Sequence, residues 1–291
     1  MAVPETGDQK LFSIILATSN CGQKVENTLR SIFSQNRALF EVIVLDAAST
    51  DETLDYLKKY ANDLTLLSEK DDGVYHAFNR GIDLATGRYI YFIGAGDCLK
   101  PGILDRVKEL LPPPEIPSFV YGRCYFVKQK FENGKKFDSK LFARDNLCQQ
   151  GIFYHREVFE LVGKFDLRYR VLADWMFNLK CFIDDRITKQ YIDRVVADYE
   201  EGGLSAEITR DPVFLREFPL FVKKQFGLYH YFICRAFLKN PYLFNYIYYR
   251  KFGLLLNHFI SHNKLGGALA ALARPSVRGF RNLKKAIKSK I

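Results

Sequence analysis

The sequence predicts an α/β fold in which a mostly parallel, Rossmann-like sheet is flanked by helices, with a helical C-terminal extension. The first hundred residues alternate between apolar, strand-like runs and amphipathic, helix-like stripes, and the connections between them are short. Alternation of this kind builds a parallel sheet, because each strand returns to the same side through a crossover helix. The hydrophobic fraction, 48% of 291 residues, is enough for a well-formed core.

The alternating elements follow one another through the first half of the chain. Four runs rich in β-branched and aromatic residues are typical of buried parallel strands, at residues 11–17, 40–46, 64–68 and 88–93. Apolar residues at helical spacing predict helices between these strands, near residues 25–33, 49–60 and 74–86. The second helix is expected to start at a capping box formed by Ser49 to Glu52.

After about residue 100 the pattern changes, and strands of mixed direction are expected. Residues 118–142 alternate and contain Asn133-Gly134, a sequence typical of hairpin turns. A further strand is expected within "CQQGIFYH", a helix from near Ala173, and an extended stretch within residues 187–199.

Basic charge is concentrated in the last quarter of the chain. From Arg216 onward there are 15 Lys and Arg residues and one acid, a net charge of +14, whereas the first 215 residues have a net charge of −4. We therefore divide the sequence into an α/β domain, residues 1–205, and a basic, aromatic-rich helical region, residues 206–291. Breaks in the helical region are expected at Pro219, Pro241 and Pro275.

The composition of the helical region suits more than one partner. Tyr and Phe mixed with Lys and Arg fit helices lying on an anionic membrane surface. They fit equally well a helical subdomain that packs on the α/β domain or on a second copy of the chain, as in a homo-oligomer. Stacking on single-stranded nucleic acid ranks last, since no recognised nucleic-acid module is present, and no such partner is predicted.

Cysteine usage and hydropathy indicate the compartment. The six cysteines form no C-x-x-C pair, so neither a zinc cluster nor a disulfide framework is predicted, and reduced thiols are expected. The first ten residues lack the apolar core of a signal peptide, and no run approaches the ~18 apolar residues of a spanning helix. The expected location is the cytoplasm, peripheral at the inner face of the plasma membrane.

Three carboxylates follow three of the predicted strands. Asp46 ends the second strand, Asp71 comes just after the third, and Asp97 just after the fourth. In an open parallel sheet, ligands bind outside the carboxyl ends of the strands, where loops and helix N-termini converge. One such Asp alone is commonly a turn former or a helix cap, but three of them predict a shared crevice.

Three blocks of sequence resemble the family-two inverting glycosyltransferases, which have the GT-A fold. They are "FSIILATSN…VIVLDAASTDETLDYL", "SEKDDGVYHAFNRGIDLATGRYIYFIGAGD" and "VGKFDLRYRVLADWMFNLK", and the resemblance covers about residues 11–205. It implies transfer of a sugar from a nucleotide-diphosphate donor, a UDP-sugar, to a hydroxyl of a glycan acceptor. A lipid-linked acceptor in cell-surface polysaccharide assembly would fit the basic tail.

The resemblance also assigns the donor site. Asp46 matches the acid that binds the nucleobase, and a carboxylate there can accept an imide N–H of uracil. Asp51 belongs to the same motif, but in the first turn of a helix a capping role is preferred. Asp71 matches the acid that contacts the nucleoside. Further donor-site candidates are Thr18, Asn79 and Arg80, the last with a solvated helix face as an equal alternative.

Asp97 matches the last acid of the D-x-D-type motif, which implies a divalent cation, Mn²⁺ or Mg²⁺, on the donor's diphosphate. Gly94 and Gly96 stand where acidic or amide side chains are common in the family. A hard cation can be held by one protein carboxylate when phosphate oxygens and water complete its coordination shell. The thinned motif nevertheless leaves metal dependence as an open question.

Asp174 matches the family's general base, which takes a proton from the acceptor hydroxyl. The alternative is an Asp that caps the following helix, and the preceding position, often acidic in the family, is Ala173. Gln150 is an acceptor-site candidate, Trp175 is expected to pack, and residues 201–205 are either a mobile loop over the nucleotide or a plain turn. The acidic motif that retains only Asp97, together with Ala173 before Asp174, also fits a rival function. In that case the chain would be a catalytically silent sugar-nucleotide-binding or scaffold protein.

Overall fold

The computed structural model describes residues 10–202 and 211–239. In these ranges the strands are β1 Phe12–Thr18, β2 Phe40–Asp46, β3 Thr65–Ser68, β4 Tyr89–Gly94, β5 Cys98–Leu99, β6 Ser118–Phe126, β7 Phe131–Asn133, β8 Ile152–His155 and β9 Thr188–Tyr199. The α-helices are α1 Lys24–Phe33, α2 Thr53–Lys58, α3 Val74–Leu84, α4 Ile103–Lys108, α5 Glu157–Val162, α6 Ala173–Ile183 and α7 Pro212–Lys239.

The described strands join in a single mixed sheet. Its order is β3-β2-β1-β4-β8-β6-β9-β5, and β7 pairs with the C-terminal end of β6, residues 124–126. The first four strands are parallel, as the alternating pattern predicts. β8 then runs antiparallel to both β4 and β6, and β9 runs parallel to β6, so the second half is mixed as expected.

The register of the parallel strands brings the predicted site residues to one edge. Thr18 at the end of β1 lies beside Asp46 at the end of β2, and Asp46 lies beside Ser68 at the end of β3. On the other side of β1, Ala17 pairs with Gly94, the last residue of β4. The carboxyl ends of four strands therefore meet at the same level, as a doubly wound sheet requires.

Helices α1 and α3 cover the parallel part of the sheet. Val25, Leu29 and Ile32 of α1 are completely buried, and they belong to the same core as the strand residues of β1 and β2. Gly81 lets α3 approach β1 closely, because a Cβ atom there would lie 2.5 Å from the Cγ2 of Ile15. Burial of these apolar residues is the main stabilising contribution to this part of the fold.

Two local predictions are wrong. The hairpin does form, between β6 and β7, but its turn lies at residues 127–130, with Lys130 at φ 56°. Gly134 follows β7 instead, where a Cβ atom would lie 2.8 Å from the Cα of Arg123, so glycine is needed for close backbone approach. The predicted capping box also fails, because the hydroxyl of Ser49 bonds to Asp46 and helix α2 begins only at Thr53.

The C-terminal part of the described chain is helical, as predicted. The break expected at Pro219 is not found there, because Pro219 lies inside α7, and the dihedral angles are non-helical at Gly227 instead. Phe214 and Phe218 of this helix are fully buried against Trp175. By its contacts the chain divides into two compact units, residues 1–231 and 232–291. The functional boundary at residue 205 stays a prediction, and Pro241, Pro275 and most of the basic region lie outside the described residues.

Among residues 10–202 and 211–239, no helix is both long enough and apolar enough to cross a bilayer.

Candidate active site

Asp46 is buried at the edge of the sheet and is surrounded by hydrogen-bond donors. Its Oδ1 accepts from the hydroxyl of Thr18 at 2.9 Å and from that of Ser49 at 2.5 Å. Its Oδ2 accepts from the backbone N–H of Ser49 at 2.9 Å and from the hydroxyl of Ser68 at 2.7 Å. Four donors from three strand ends therefore converge on one carboxylate and tie those ends together.

Burial alone would raise the pKa of Asp46, but the hydrogen bonds from Ser49, Ser68 and Thr18 outweigh it and hold the pKa below its usual value. Asp46 is thus ionised at neutral pH. A carboxylate offers about four lone-pair positions, and the protein fills all of them here. A nucleobase N–H could bond to Asp46 only by displacing one of these donors, and Asp46 as the nucleobase ligand stays a prediction.

Asp51 lies two residues before α2 rather than in its first turn, and it bonds to the start of the helix without being its N-cap. Its carboxylate accepts from the backbone N–H of Thr53 at 3.0 Å, at the start of α2, and from that of Gly22 at 3.0 Å. It therefore joins the start of α2 to the loop that leads into α1.

Asp97 lies just beyond β4 and is also buried. Its Oδ2 accepts from the amide of Gln150 at 2.8 Å, and its Oδ1 accepts from the backbone N–H of Glu200 at 2.8 Å. Burial raises the pKa of Asp97 to about 7, although these hydrogen bonds oppose the rise. The structure thus places Gln150, the acceptor-site candidate, on the carboxylate that is predicted to hold the cation.

The surroundings of Asp97 fit a cation that is shared with a bound ligand. Carboxylate and amide oxygens are suitable ligands for Mn²⁺ or Mg²⁺, and a cation would supply the positive charge that this buried carboxylate lacks. Within residues 10–202 and 211–239, no group of three or more His, Cys, Asp or Glu side chains is arranged to hold a metal ion. Most of the coordination shell would therefore have to come from a diphosphate and water.

Asp174 lies in the first turn of α6, and its partners are side chains from two other segments. Tyr75 of α3 donates its hydroxyl to Oδ1 at 2.7 Å, and Asn146 donates its amide to Oδ2 at 2.9 Å. The N-cap position of α6 belongs to Leu172, so Asp174 is not the helix N-cap. Burial raises the pKa of Asp174, against the effect of both hydrogen bonds. A partly exposed carboxylate of raised pKa is suited to accept a proton.

A short segment, Asn146 to Gln150, bonds to both Asp174 and Asp97. Its first residue bonds to Asp174 and its last residue bonds to Asp97. The Cα atoms of these two residues lie at most about 14 Å apart, because the segment is four residue steps long. One segment therefore contacts both the predicted base and the predicted metal ligand.

Asp71 lies at a pocket beside the base. The pocket has a volume of about 510 Å³ and is lined by Asp71, Tyr75, His76, Tyr169 and Arg170, among others. The carboxylate of Asp71 accepts from the backbone N–H of Gly73 at 2.9 Å. Since Tyr75 also bonds to Asp174, this pocket opens next to the predicted base.

The remaining donor-site candidates have partners within the protein. The amide of Asn79 donates to the carbonyl oxygen of Phe165 at 2.8 Å and accepts from its N–H at 3.0 Å. Arg80 forms an ion pair with Glu69. Contacts of Asn79 and Arg80 with a donor stay predictions, and the hydrogen bonds of Asn79 favour a structural role for its side chain. Trp175 packs as expected, with its indole N–H on the carbonyl oxygen of Phe142.

Three residues of this site were missed or misplaced by sequence reasoning. Asn146 and Tyr75 bond to Asp174, and Asp211 accepts from the N–H groups of Val171 and Leu172, just before the base. Tyr75 stands within the quoted "SEKDDGVYHAFNRG" block and could have been singled out there. Asn146 and Asp211 lie in irregular segments, where periodicity gives no signal.

Comparisons with known proteins identify the class of this fold. By fold, the chain is similar to TarS 1–349 of S. aureus in complex with UDP-GlcNAc, with a TM-score of 0.62, 19% identity and coverage of 88% of this chain and 76% of that one. It is also similar to the mannosyltransferase PcManGT from Pyrobaculum calidifontis in complex with GDP-Man and Mn²⁺, with a TM-score of 0.60, 19% identity and coverage of 90% and 79%. The chain spans 46% of a longer TarS chain. These similarities confirm the GT-A fold of glycosyltransferases.

Sequence comparison identifies the family within that class. The model of "Glycosyl transferase family 2" matches residues 13–162. A PGL/p-HBAD biosynthesis glycosyltransferase of Mycobacterium tuberculosis is 41% identical over 217 residues, which are 72% of this chain and 84% of that protein. The chain therefore belongs to glycosyl transferase family 2, and it is a glycosyltransferase, as the sequence motifs predict.

The cage around Asp46 leads to a prediction about stability. In Asp46→Asn, the new amide nitrogen can no longer accept from the donors around it, so we expect the free energy of unfolding to fall by about 2 kcal/mol at pH 7. The folded pKa of Asp46 lies below its unfolded value, so this contribution is present at neutral pH and is lost as the pH falls through the folded pKa. Urea unfolding at pH 7 measures it, with the exposed Asp72→Asn as control. Unchanged stability combined with lost UDP binding would show that Asp46 serves the nucleotide alone.

Proposed function

We propose that this enzyme is an inverting glycosyltransferase that transfers a sugar from a nucleotide-diphosphate donor, a UDP-sugar, to a hydroxyl of a glycan acceptor. The observation that carries the proposal is the pair of carboxylates, Asp97 and Asp174, both held by hydrogen bonds from the one segment Asn146 to Gln150. The UDP donor is supported by the fold shared with TarS, whose structure holds UDP-GlcNAc.

The chemistry assigned to Asp174 is proton removal. The acceptor hydroxyl attacks the anomeric carbon from the face opposite the nucleotide, a new C–O bond forms, and the bond to the diphosphate breaks with its electrons on the phosphate oxygen. The carboxylate of Asp174 takes the proton of the attacking hydroxyl, and its raised pKa makes it a better base than an ordinary Asp. Attack from that face inverts the configuration of the transferred sugar.

Asp97 would hold the divalent cation, Mn²⁺ or Mg²⁺. When bound, the cation would supply positive charge to the donor's diphosphate and stabilise its departure. The amide nitrogen of Gln150 and the backbone N–H of Glu200 donate to the two oxygens of Asp97 and fix its orientation. PcManGT, of the same fold, was solved with Mn²⁺ and GDP-Man, which supports a cation at this edge.

The base is tested with Asp174→Asn. Removal of a general base costs at least ~10²-fold in kcat, so we expect transfer, measured as UDP released from a panel of UDP-sugars, to fall by that factor. Asp185→Asn, an exposed substitution in the loop after α6, is the matched control and should keep full activity. Near-normal transfer by a folded Asp174→Asn variant would remove this residue from the reaction. UDP-sugar binding without turnover in the wild-type protein would instead favour the silent scaffold.

The cation is tested by binding rather than by turnover. Because the protein offers so few ligands, we expect Mn²⁺ to bind at least about tenfold more tightly when UDP is present, a coupling of about 1.4 kcal/mol. In Asp97→Asn, calorimetry should show this coupling abolished, while Asp185→Asn should retain it. Equal Mn²⁺ affinity with and without UDP would contradict a shared cation.

The acceptor is proposed to be lipid-linked, with the enzyme peripheral at the cytoplasmic face of a membrane. After residue 239 the sequence has ten Lys and Arg residues and no Asp or Glu. The described part of α7 also exposes Leu220, Leu228 and Tyr229, with exposed fractions of 53%, 57% and 68%. Apolar side chains next to basic residues suit an anionic lipid surface. The mycobacterial relatives are named for PGL/p-HBAD biosynthesis, so precursors of PGL and p-HBAD should be included among the acceptors that are assayed.

Membrane association is tested by vesicle flotation. Each basic residue near an anionic surface contributes about 1 kcal/mol, so the full chain should float with vesicles that contain phosphatidylserine and should release in high salt. The chain shortened after residue 239 should float far less. Equal flotation of both proteins would contradict a role of the basic region in membrane binding.

A further inference from the structure

The two hydrogen bonds on Asp174 belong to a longer chain of buried polar groups. Behind Asn146, the amide of Asn178 donates to the Oδ1 of Asn146 at 3.2 Å, and the hydroxyl of Tyr154 donates to the Oδ1 of Asn178 at 2.8 Å. On the other side, the hydroxyl of Tyr75 lies 2.7 Å from Asp174 and 2.9 Å from the carbonyl oxygen of Val171. Tyr154 and Asn178 are buried, and their polar atoms bond to each other and to Asn146. The hydroxyl of Tyr75 has one proton, and the nearer, charged Asp174 is the stronger acceptor for it.

One backbone group fixes the direction of this chain. The N–H of Leu147 donates to Asn146 Oδ1 at 2.9 Å, and a backbone N–H can only donate. The amide nitrogen of Asn146 therefore points to Asp174. By the same reasoning, Asn178 presents its nitrogen to Asn146 and its oxygen to the hydroxyl of Tyr154. Each donor in the chain points toward Asp174, and bonds aligned in this way strengthen one another.

We propose that Tyr75 and Asn146 are positioning residues, which hold the Asp174 carboxylate through its two different oxygens and leave its remaining lone pairs to the acceptor hydroxyl. Tyr75 binds Oδ1 and Asn146 binds Oδ2, so the carboxylate cannot rotate without breaking both bonds. Backbone N–H groups at the start of α6 also stabilise the charged form, and the side chain of Asp174 stays partly exposed, so that an acceptor hydroxyl can reach it. This inference deepens the proposed function, since it assumes that Asp174 is the base.

The same two residues set the proton affinity of the base. Burial raises the pKa of Asp174, and the hydrogen bonds from Tyr75 and Asn146 act in the opposite direction by stabilising the charged form. The titratable groups that face Asp174 are Tyr75 from α3 and Tyr154 from β8, and burial raises the pKa of both far above neutrality. Of these groups, Asp174 is the one whose negative charge both hydrogen bonds stabilise.

The test is a titration of Asp174 in the full chain, followed by ¹³C NMR of labelled Asp carboxyl groups. Its signal is the one absent from Asp174→Asn. In Tyr75→Phe, and independently in Asn146→Ala, the loss of one charge-stabilising bond should raise the pKa of Asp174 by about one unit. Tyr191→Phe is the matched control, because the hydroxyl of Tyr191 bonds to the exposed Asp193 and should leave the titration unchanged.

The kinetic counterpart is the acid limb of the pH profile of kcat. It should move upward by the same amount in both variants, with the KM for the UDP-sugar unchanged. A titration of Asp174 that coincides with the wild type in a folded Tyr75→Phe and a folded Asn146→Ala would overturn the inference. The titration needs no turnover, so it decides the positioning role even if Asp174→Asn remains active and the proposed base fails.

Discussion

The structure depends on the cost of burying carboxylates at the edge where four parallel strands end. A buried charge is tolerated only when hydrogen bonds or an opposite charge replace the water it has lost. Asp46 receives four donors and has a lowered pKa, whereas Asp97 and Asp174 each accept two side-chain or loop hydrogen bonds and have raised pKa values. The first carboxylate is saturated by the protein, and the other two retain the capacity to interact with something else.

This difference divides the edge into a rigid part and a reactive part. The bonds of Asp46 join the ends of β1, β2 and β3, so this part of the edge, where the donor is predicted to bind, is preformed. On the reactive side, the segment from Asn146 to Gln150 touches both Asp174 and Asp97. Groups that must act together are best held by one rigid support, because small displacements of a reacting group are costly in rate.

The sequence predicts most of the fold, because burial imposes periodicity on strands and helices. β2 begins and ends at the predicted residues, and α6 begins at Ala173. Predictions failed where a residue serves a role other than the one that its motif suggests. Ser49 bonds to Asp46 rather than capping α2, and Gly134 allows a close backbone contact rather than forming the hairpin turn. Asn146 was missed because its partner is distant in sequence and its loop carries no periodic pattern.

The first turns of α7 support the segment around Asp174, the proposed base, which agrees with one of the two alternatives left open for the helical region. Asp211 accepts from the N–H of Phe214 at the start of α7, and also from the N–H groups of Val171 and Leu172 that precede α6. Phe214 and Phe218 pack on Trp175, the neighbour of Asp174. The orientation of α6 is thus fixed on one side by α7 and on the other by Tyr75 and Asn146. In the proposed mechanism, this support would keep the geometry of Asp174 while substrates exchange, as in-line attack by a bound hydroxyl requires.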